Sequence, residues 1–565
     1  MNILGISCYY HDSSAVLIQD GKIVAAVAEE RLSRKKHDND FPERAIRFCF
    51  DWAHTDGRGI DAVAFYEKPL VKFERVLAQH IDAFPLGAKA FRENIGSWFS
   101  RKLKIKETLR KKFGYEGEVL YIPHHLSHAA SAFYLSGFDK AAVVTIDGVG
   151  EWATTTMGMG DGIRVNVERE IRFPHSLGLL YSAVTSYLGF EVNDAEYKVM
   201  GYAAYGNPQT YREQFSQLIT LHKDGSFSLA MDYFTYVWSD RMYNKKLEQL
   251  FNLPTRQKES GVQQEYADIA AGLQRVLEDS VVNLLVAVHK KHPVNALCLA
   301  GGVALNSVMN GKLLKRTPFK QLYIPPDPGD GGGAMGAAMY AYVQKAKKSI
   351  CGDFFPNLGP SYPTEQIIGT LESFGLIYEE AESDAALVDV VSGFLAEGKV
   401  IGWFQGRVEW GPRALGFRSI LANAGKTEMK DVINAKIKHR ELFRPFAPVI
   451  MDKYVYDYFL ADSRLSESTK YMLMVYPFTP KGIKRVPATV HVDGTGRLQV
   501  ITRKDNPLYY DLIDAFRKKT GTPVILNTSF NVRGEPIVAS PKDAVECFLK
   551  TDIDYLVLGK YIIKK

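Results

Sequence analysis

Ala141-Ala142-Val143-Val144-Thr145-Ile146-Asp147-Gly148 reads as a buried strand that ends in an Asp-Gly turn. Downstream of it, Thr154-Thr155-Thr156-Met157 is a second β-rich run, Asp161-Gly162 a hairpin turn and Ile163 to Val167 a third strand. The N-terminus has the same order: Ile3 to Cys8, Ala15 to Gln19, an Asp20-Gly21 hairpin, then Ile23 to Glu29. One strand-and-hairpin unit therefore occurs twice, each copy with helices downstream, which makes this part of the chain α/β.

Upstream of the second copy, Pro123-His124-His125-Leu126-Ser127-His128 sets two imidazoles four residues apart at the start of a helix. Four residues advance a helix by roughly 400°, so His124 and His128 point within about 40° of each other and can share one ion, whereas His125 points elsewhere. The bland alternative is a pair of satisfied core or surface histidines. A complete site needs ligands from other elements. Asp147 in Ile146-Asp147-Gly148-Val149-Gly150 and Asp330 in Pro328-Gly329-Asp330-Gly331-Gly332-Gly333 are the candidates. Two imidazoles and two carboxylates suit iron(II), manganese or zinc.

Glycine-rich turns surround these aspartates. Tyr266, Ile269, Leu273, Val276, Leu277 and Leu284 recur at helical spacing between Gly261 and Lys290, and a buried strand, Ala296 to Ala300, follows and stops at Gly301-Gly302. Strand, double glycine and helix let a phosphate or adenine approach the backbone, with the helix N-terminus favouring negative charge. Asp330 to Gly333, before the small-residue helix Ala334 to Ala338, repeats the arrangement. The candidate nucleotide contacts here are Gly148, Gly150, Gly301, Gly302, Asn306 and Gly332.

Near Cys351 to Pro363 the composition turns to Gly, Pro and Asn, which reads as an interdomain linker. Beyond it a second α/β domain has strands at Val400 to Phe404, Val524 to Leu526 and Tyr555 to Leu558, and a helix with Ser540 as N-cap and Pro541 at its first position. Gly411 to Ser419 places Arg413 and Arg418 in a glycine-bounded loop. Lys436, Lys438, Arg440 and Arg444 follow in one short segment, and Asn527-Thr528-Ser529-Phe530-Asn531 closes a strand. Arginine forks and lysine point charges interleaved with Phe, Pro and Gly read as a pocket for an anionic small molecule.

The 565 residues exceed what one core holds, and 46% hydrophobic with 24% charged residues is the composition of a soluble globular protein. The net charge of +6 is modest and its basic runs, such as Arg34 to His37 and Arg101 to Lys112, read as solvated faces rather than a nucleic-acid footprint. Five scattered cysteines without C-x-x-C spacing argue for a reducing compartment. With no cleavable leader and no apolar run of about 18 residues, a cytoplasmic protein that does not engage the membrane is expected.

In its whole layout the chain resembles the O-carbamoyltransferases that decorate nodulation factors and antibiotics of the cephem, aminoglycoside and macrolide types. The matching segments are Tyr10 to Ala15, Glu29 to His37, His124 to His128, Asp147 to Gly150, Glu196 to Gly201, Gly301 to Asn306, Gly411 to Ser419, Arg444 to Pro448, His491 to Thr495 and Leu526 to Asn531, in the family's order. The resemblance implies a duplicated actin-like ATPase domain (ASKHA, ribonuclease H-like) over 1–350 and a YrdC-like α/β domain over 363–565. It implies that the second domain makes carbamoyladenylate from carbamoyl phosphate and ATP, with Mg2+, and that the first passes the carbamoyl group to a hydroxyl of a natural product or sugar. By motif position it makes His124, His128, Asp147 and Asp330 the ligands of a metal, usually Fe2+. It sets His11 near the reacting carbonyl and Lys36 as a basic residue of the same site. Arg413, Lys438, Arg444, Arg497, Asn527 and Ser529 would form the carbamoyl phosphate and ATP pocket, with the choices between Lys436 and Lys438 and between Arg413 and Arg418 open.

Carbamate is a poor electrophile, so activation requires an acyl phosphate or adenylate, and the phosphates and developing charge require cationic partners. The acceptor hydroxyl must lose a proton as it attacks, which makes His11 the expected base. Two other readings compete: a tRNA threonylcarbamoyl-type transferase, and an actin-like ATPase acting as a chaperone or assembly factor. The acceptor is not specified by the sequence, and a homodimer is possible.

Overall fold

The structure is a computed structural model that describes residues 1–86, 101–258, 260–438, 444 and 446–565, with Lys436 described in its backbone. Arg440, named above, lies outside the described residues, as does Pro445 within the segment Arg444 to Pro448. Two compact units divide the chain. The first contains Met1–Ala26 and Asn39–Asp353, the second Val27–Asp38 and Phe354–Lys565.

The first unit holds two five-stranded sheets. One contains β1 (Asn2–Ser7), β2 (Ser14–Gln19), β3 (Lys22–Ala28), β4 (Ala62–Phe65) and β5 (Glu118–Tyr121) in the order β3-β2-β1-β4-β5. The other contains β6 (Lys140–Ile146), β7 (Ala153–Asp161), β8 (Arg164–Arg172), β11 (Ala296–Ala300) and β12 (Gln321–Tyr323) in the order β12-β11-β6-β7-β8; a small hairpin, β9 (Ile219–Leu221) with β10 (Phe227–Leu229), stands apart. In both sheets the first strand pairs antiparallel with the second and parallel with a later one: β1 with β2 and β4, β6 with β7 and β11. That is the ribonuclease H-like order, and its tandem occurrence is the actin-like ATPase architecture. The Asp-Gly hairpins form as the sequence indicates, with left-handed backbone at Asp20, Gly21 and Gly162.

Glycines set how closely the helices of this unit pack. A Cβ on Gly336 would fall 1.7 Å from the Ser127 carbonyl oxygen, and one on Gly5 would fall 2.0 Å from that of Ala334. The small-residue face of the helix Asp330–Ala346 therefore lies directly on the helix His124–Leu135 and on β1. This contact brings the start of one helix beside the start of the other.

The second unit is built on a nine-stranded mixed sheet: β13 (Glu379–Glu380), β14 (Ile401–Phe404), β15 (Arg418–Ala422), β16 (Ala447–Met451), β17 (Met474–Pro477), β18 (Thr495–Ile501), β19 (Val524–Ser529), β20 (Tyr555–Leu558) and β21 (Tyr561–Lys564), in the order β13-β21-β20-β14-β15-β19-β16-β18-β17. Leu387, Val391 and Leu395 from one helix and Leu512, Ile513 and Phe516 from another pack over Trp403, Val449, Ile525 and Val557 of the sheet. Ser540 caps its helix as expected, in a capping box with Asp543.

A cut at the glycine-proline linker alone misses one feature of this division. Residues 27–38 belong with the second unit, because Arg31 donates to the Gly411 carbonyl (2.9 Å) and Arg34 to those of Ile537 (2.6 Å) and Pro536 (3.0 Å). The linker is packed too: Trp410 and Val408 N–H groups donate to the Pro356 and Pro360 carbonyls.

Candidate functional site

The helix His124–Leu135 begins where the Glu151 carboxylate receives the His124 N–H (3.0 and 3.2 Å), satisfying a helix-end donor that would otherwise lack a partner. From this fixed start His124 and His128 project together, their Nε2 atoms 3.0 Å apart. Asp147, just beyond the end of β6, brings Oδ2 to 2.9 Å from His124 Nε2, and Asp330, at the start of its helix, brings Oδ1 to 3.5 Å from both imidazoles. One atom from each of the four side chains lies within 4.8 Å of the other three, and all four residues are buried. Gly302 N–H donates to Asp147 Oδ1 (2.9 Å) and so orients that carboxylate.

This donor set fits a divalent cation. Two imidazole nitrogens facing each other at 3.0 Å are mutually satisfied only by a proton or a cation between them, and Asp330 Oδ2 is buried without a partner among the described residues. Burial alone would lower the His128 imidazole, but hydrogen bonds to Asp147 and Asp330 push it up to about 10. Burial would raise the Asp147 carboxyl, yet the two imidazoles hold it well below the usual carboxylate range. His125 does point elsewhere: Nδ1 meets the Thr145 hydroxyl (2.6 Å), Nε2 meets the Ala153 carbonyl (2.8 Å), and burial, with the neighbouring His124, pushes it down to about 3.

His11 differs from the expected base. Nδ1 lies 2.8 Å from Asp12 Oδ2 and Nε2 lies 2.6 Å from the Asn193 carbonyl, an acceptor only, so Nε2 carries a proton. Although burial opposes it, these bonds and the nearby Asp330 push the imidazole up to about 10, so His11 is a cation at neutral pH. The Asn193 loop is itself held, because Glu196 accepts from the Asn193 N–H (2.9 Å) and from the Ser182 hydroxyl (2.8 Å). Lys36, half-buried, lies in the 27–38 segment that clusters with the second unit.

The glycine turns have mixed explanations. Gly301 has φ +91° and presses on the Ile146 carbonyl, Gly332 presses on that of Asp327, and Gly150 on the His124 and His125 rings. These positions require glycine for packing. A Cβ on Gly148 would meet nothing nearer than Leu179 at 4.0 Å, so packing does not account for that glycine. Asn306 caps the helix Ser307–Arg316 and exchanges amide hydrogen bonds with Gln274 (2.9 and 3.1 Å).

In the second unit, β15, β19 and β16 are neighbours, so the loop before β15, the end of β19 and the start of β16 meet at the sheet centre. Lys438 donates to the Ser529 carbonyl and hydroxyl and to Asn531 Oδ1 and carbonyl, tying these residues together. Asn527 donates to the Ala414 carbonyl (3.1 Å) and to Gln499 (2.7 Å). Arg444 and Arg497 are half-buried. Arg418 is a structural residue: fully buried, stacked 3.4 Å over Phe404, it donates to the carbonyls of Gln405, Phe417, Gly406 and Ala539. Of the two loop arginines, Arg413 is therefore the ligand candidate.

Three residues were not legible as site components. Glu151 and Glu409 carry no local signal because their partners are backbone N–H groups formed only by folding. Glu67, fully buried, holds both Lys72 (2.6 Å) and Lys102 (2.7 Å) beneath the Tyr10 ring.

The family model for the carbamoyltransferase N-terminus matches residues 2–339, and that for the carbamoyltransferase C-terminus matches residues 392–565. An uncharacterized protein of Synechocystis sp. is 45% identical, over 100% of this chain and 97% of its own length. Nodulation protein NolNO of Sinorhizobium fredii is 39% identical, over 99% of this chain and 79% of its own length. Full-length HypF in its phosphate- and nucleotide-bound form is 12% identical with a TM-score of 0.31, over 62% of this chain and 56% of that one; so low a score carries no argument.

Proposed function

Since this chain belongs to the carbamoyltransferase family, whose members move a carbamoyl group, we propose that it activates carbamoyl phosphate with ATP and delivers the carbamoyl group to a hydroxyl of a small molecule. The observation that carries this reading is the four-ligand constellation of His124, His128, Asp147 and Asp330, buried beside the turns that end the first strands of a nucleotide-binding type of fold.

In the proposed activation, water attacks the phosphorus of carbamoyl phosphate, which splits into phosphate and carbamate, and an oxygen of the freed carbamate then bonds to the α-phosphorus of ATP as pyrophosphate leaves. Arg413, Arg444 and Arg497 would neutralise the phosphates, while Lys438 holds Ser529 and Asn531 in place for the same pocket. In the proposed transfer, the acceptor oxygen attacks the carbamoyl carbon, AMP departs, and the hydroxyl proton passes to the leaving phosphate. His11, already protonated and with both ring nitrogens bonded to Asp12 and the Asn193 carbonyl, would act on developing negative charge through its positive charge rather than take the proton. His124, His128, Asp147 and Asp330 would hold a divalent metal, Fe2+ by family resemblance, which when bound supplies Lewis-acid stabilisation of phosphate oxygens.

The test is AMP formation from ATP by the purified protein, with and without carbamoyl phosphate. Carbamoyl phosphate-dependent AMP is expected. AMP formation indifferent to carbamoyl phosphate, or absent, would refute the activating half and favour a plain ATPase.

A further inference from the structure

The segment Leu188 to Tyr202 of the first unit is fastened at its base and exposed at its tip. Arg256, 3% exposed, donates to the Leu188 carbonyl (3.0 Å) and lies over the Phe190 and Tyr202 rings, 4.9 and 5.3 Å from their centroids. Its backbone N–H donates to the Tyr187 carbonyl (3.1 Å), and a Cβ on Gly189 would fall 2.4 Å from the Arg256 carbonyl oxygen, so the base is closely packed. Asn193, at the tip, is exposed, holds φ +65° and presents its carbonyl to His11 Nε2 at 2.6 Å. Asparagine is one of the few residues besides glycine that take this left-handed conformation readily.

The two bonds of His11 are unequal. Nδ1 meets the Asp12 carboxylate (2.8 Å), a pairing of opposite charges between adjacent residues, whereas Nε2 meets a neutral amide oxygen on an exposed loop. An anionic oxygen offered to Nε2 forms the stronger bond, and exchanging one acceptor for another leaves no donor unsatisfied. The peptide carbonyl of Asn193 also matches a carbamoyl carbonyl in kind, since each is a C=O attached to nitrogen.

We propose that the Asn193 carbonyl is a latch that fills, before any ligand arrives, the position on His11 Nε2 that an oxygen of the ligand takes, and that the ligand binds there by displacing it. Resting on the function proposed above, the ligand is the carbamoyladenylate, or AMP once the carbamoyl group has left, and His11 gains a direct bond to it in addition to its charge. The tip of the loop turns away while Arg256 keeps the base in place. Affinity is then lower than the open site would give, by the factor with which the latch is closed. A substitution that opens the latch should therefore tighten binding, the reverse of what losing a supporting contact does.

The test uses the full chain, nitrogen NMR of labelled histidine and titration with AMP. Asn193→Val disfavours the left-handed conformation, because a β-branched side chain is strained there, and Asn193→Gly keeps it. The expected result is that AMP moves the His11 Nε2 signal in wild type and half-saturates it at a roughly fivefold or more lower concentration in Asn193→Val. Asn193→Gly, which loses the side chain but keeps the latch, should stay near wild type. Where Asn193→Val lowers the thermal midpoint, Asn193→Ala applies the same backbone bias with less bulk and is read in the same way. A His11 signal that AMP leaves in place, or a half-saturating concentration in the variant equal to or above that of wild type, would overturn the inference. Exchange at His11 without any carbamoyl phosphate-dependent AMP formation would instead refute the proposed activation and leave the latch standing.

Discussion

His124, His128 and His125 are three imidazoles in five residues with two different fates, and substitution separates them. His124→Ala and His128→Ala should each abolish stoichiometric divalent metal, read by elemental analysis of the purified protein. His125→Ala should retain the metal and lose stability of about 1–3 kcal/mol in denaturant unfolding, from a buried side chain bonded to Thr145 and Ala153. The sequence shows this split because helical spacing alone decides which side chains share a face. The charge of His11 could not be read in the same way. It depends on Asp12 and on a carbonyl at Asn193, 182 residues away, that only folding brings near. Its folded pKa is raised above the ordinary value, so the stability it lends is complete below about pH 6.5 and is lost as pH rises through about 10. Nitrogen NMR of labelled histidine should show His11 as imidazolium at pH 8; a neutral ring there would contradict the bonding described.

Whole elements were more legible than loops. β11, Ser540 as N-cap and both Asp-Gly hairpins follow from local pattern, since strand alternation, caps and turns are short-range effects. Glycine turns are harder, because packing, backbone strain and ligand approach all select the same residue. The structure separates these causes and makes them testable at the level of helix and turn. Gly336→Ala would push a Cβ into the Ser127 carbonyl and part the two helices that carry three of the four proposed metal ligands. A loss of roughly 1–3 kcal/mol is expected, with weaker metal retention. Gly148→Ala meets open space, so the unfolding midpoint should stay within experimental error while nucleotide affinity falls; unchanged affinity would remove Gly148 from the nucleotide contacts.

At the scale of the molecule, sequence composition reads as a linker near Cys351 to Pro363 and gives no sign of the return of residues 27–38 to the second unit. That segment joins through arginine bonds to distant carbonyls, which leave no periodic trace. Proteolytic nicking between Asp353 and Phe354 should therefore yield fragments that co-elute on gel filtration, because the N-terminal piece still carries part of the second unit's structure. The central claim is a division of labour, with activation through the Arg413 loop and delivery at the four-ligand centre. Incubating carbon-13 carbamoyl phosphate and ATP with wild type, Arg413→Met and His124→Ala, and weighing the nucleotides by mass spectrometry, tests it most directly. The account predicts labelled carbamoyladenylate with wild type and His124→Ala and none with Arg413→Met. Label absent from wild type, or lost equally in His124→Ala, would contradict it.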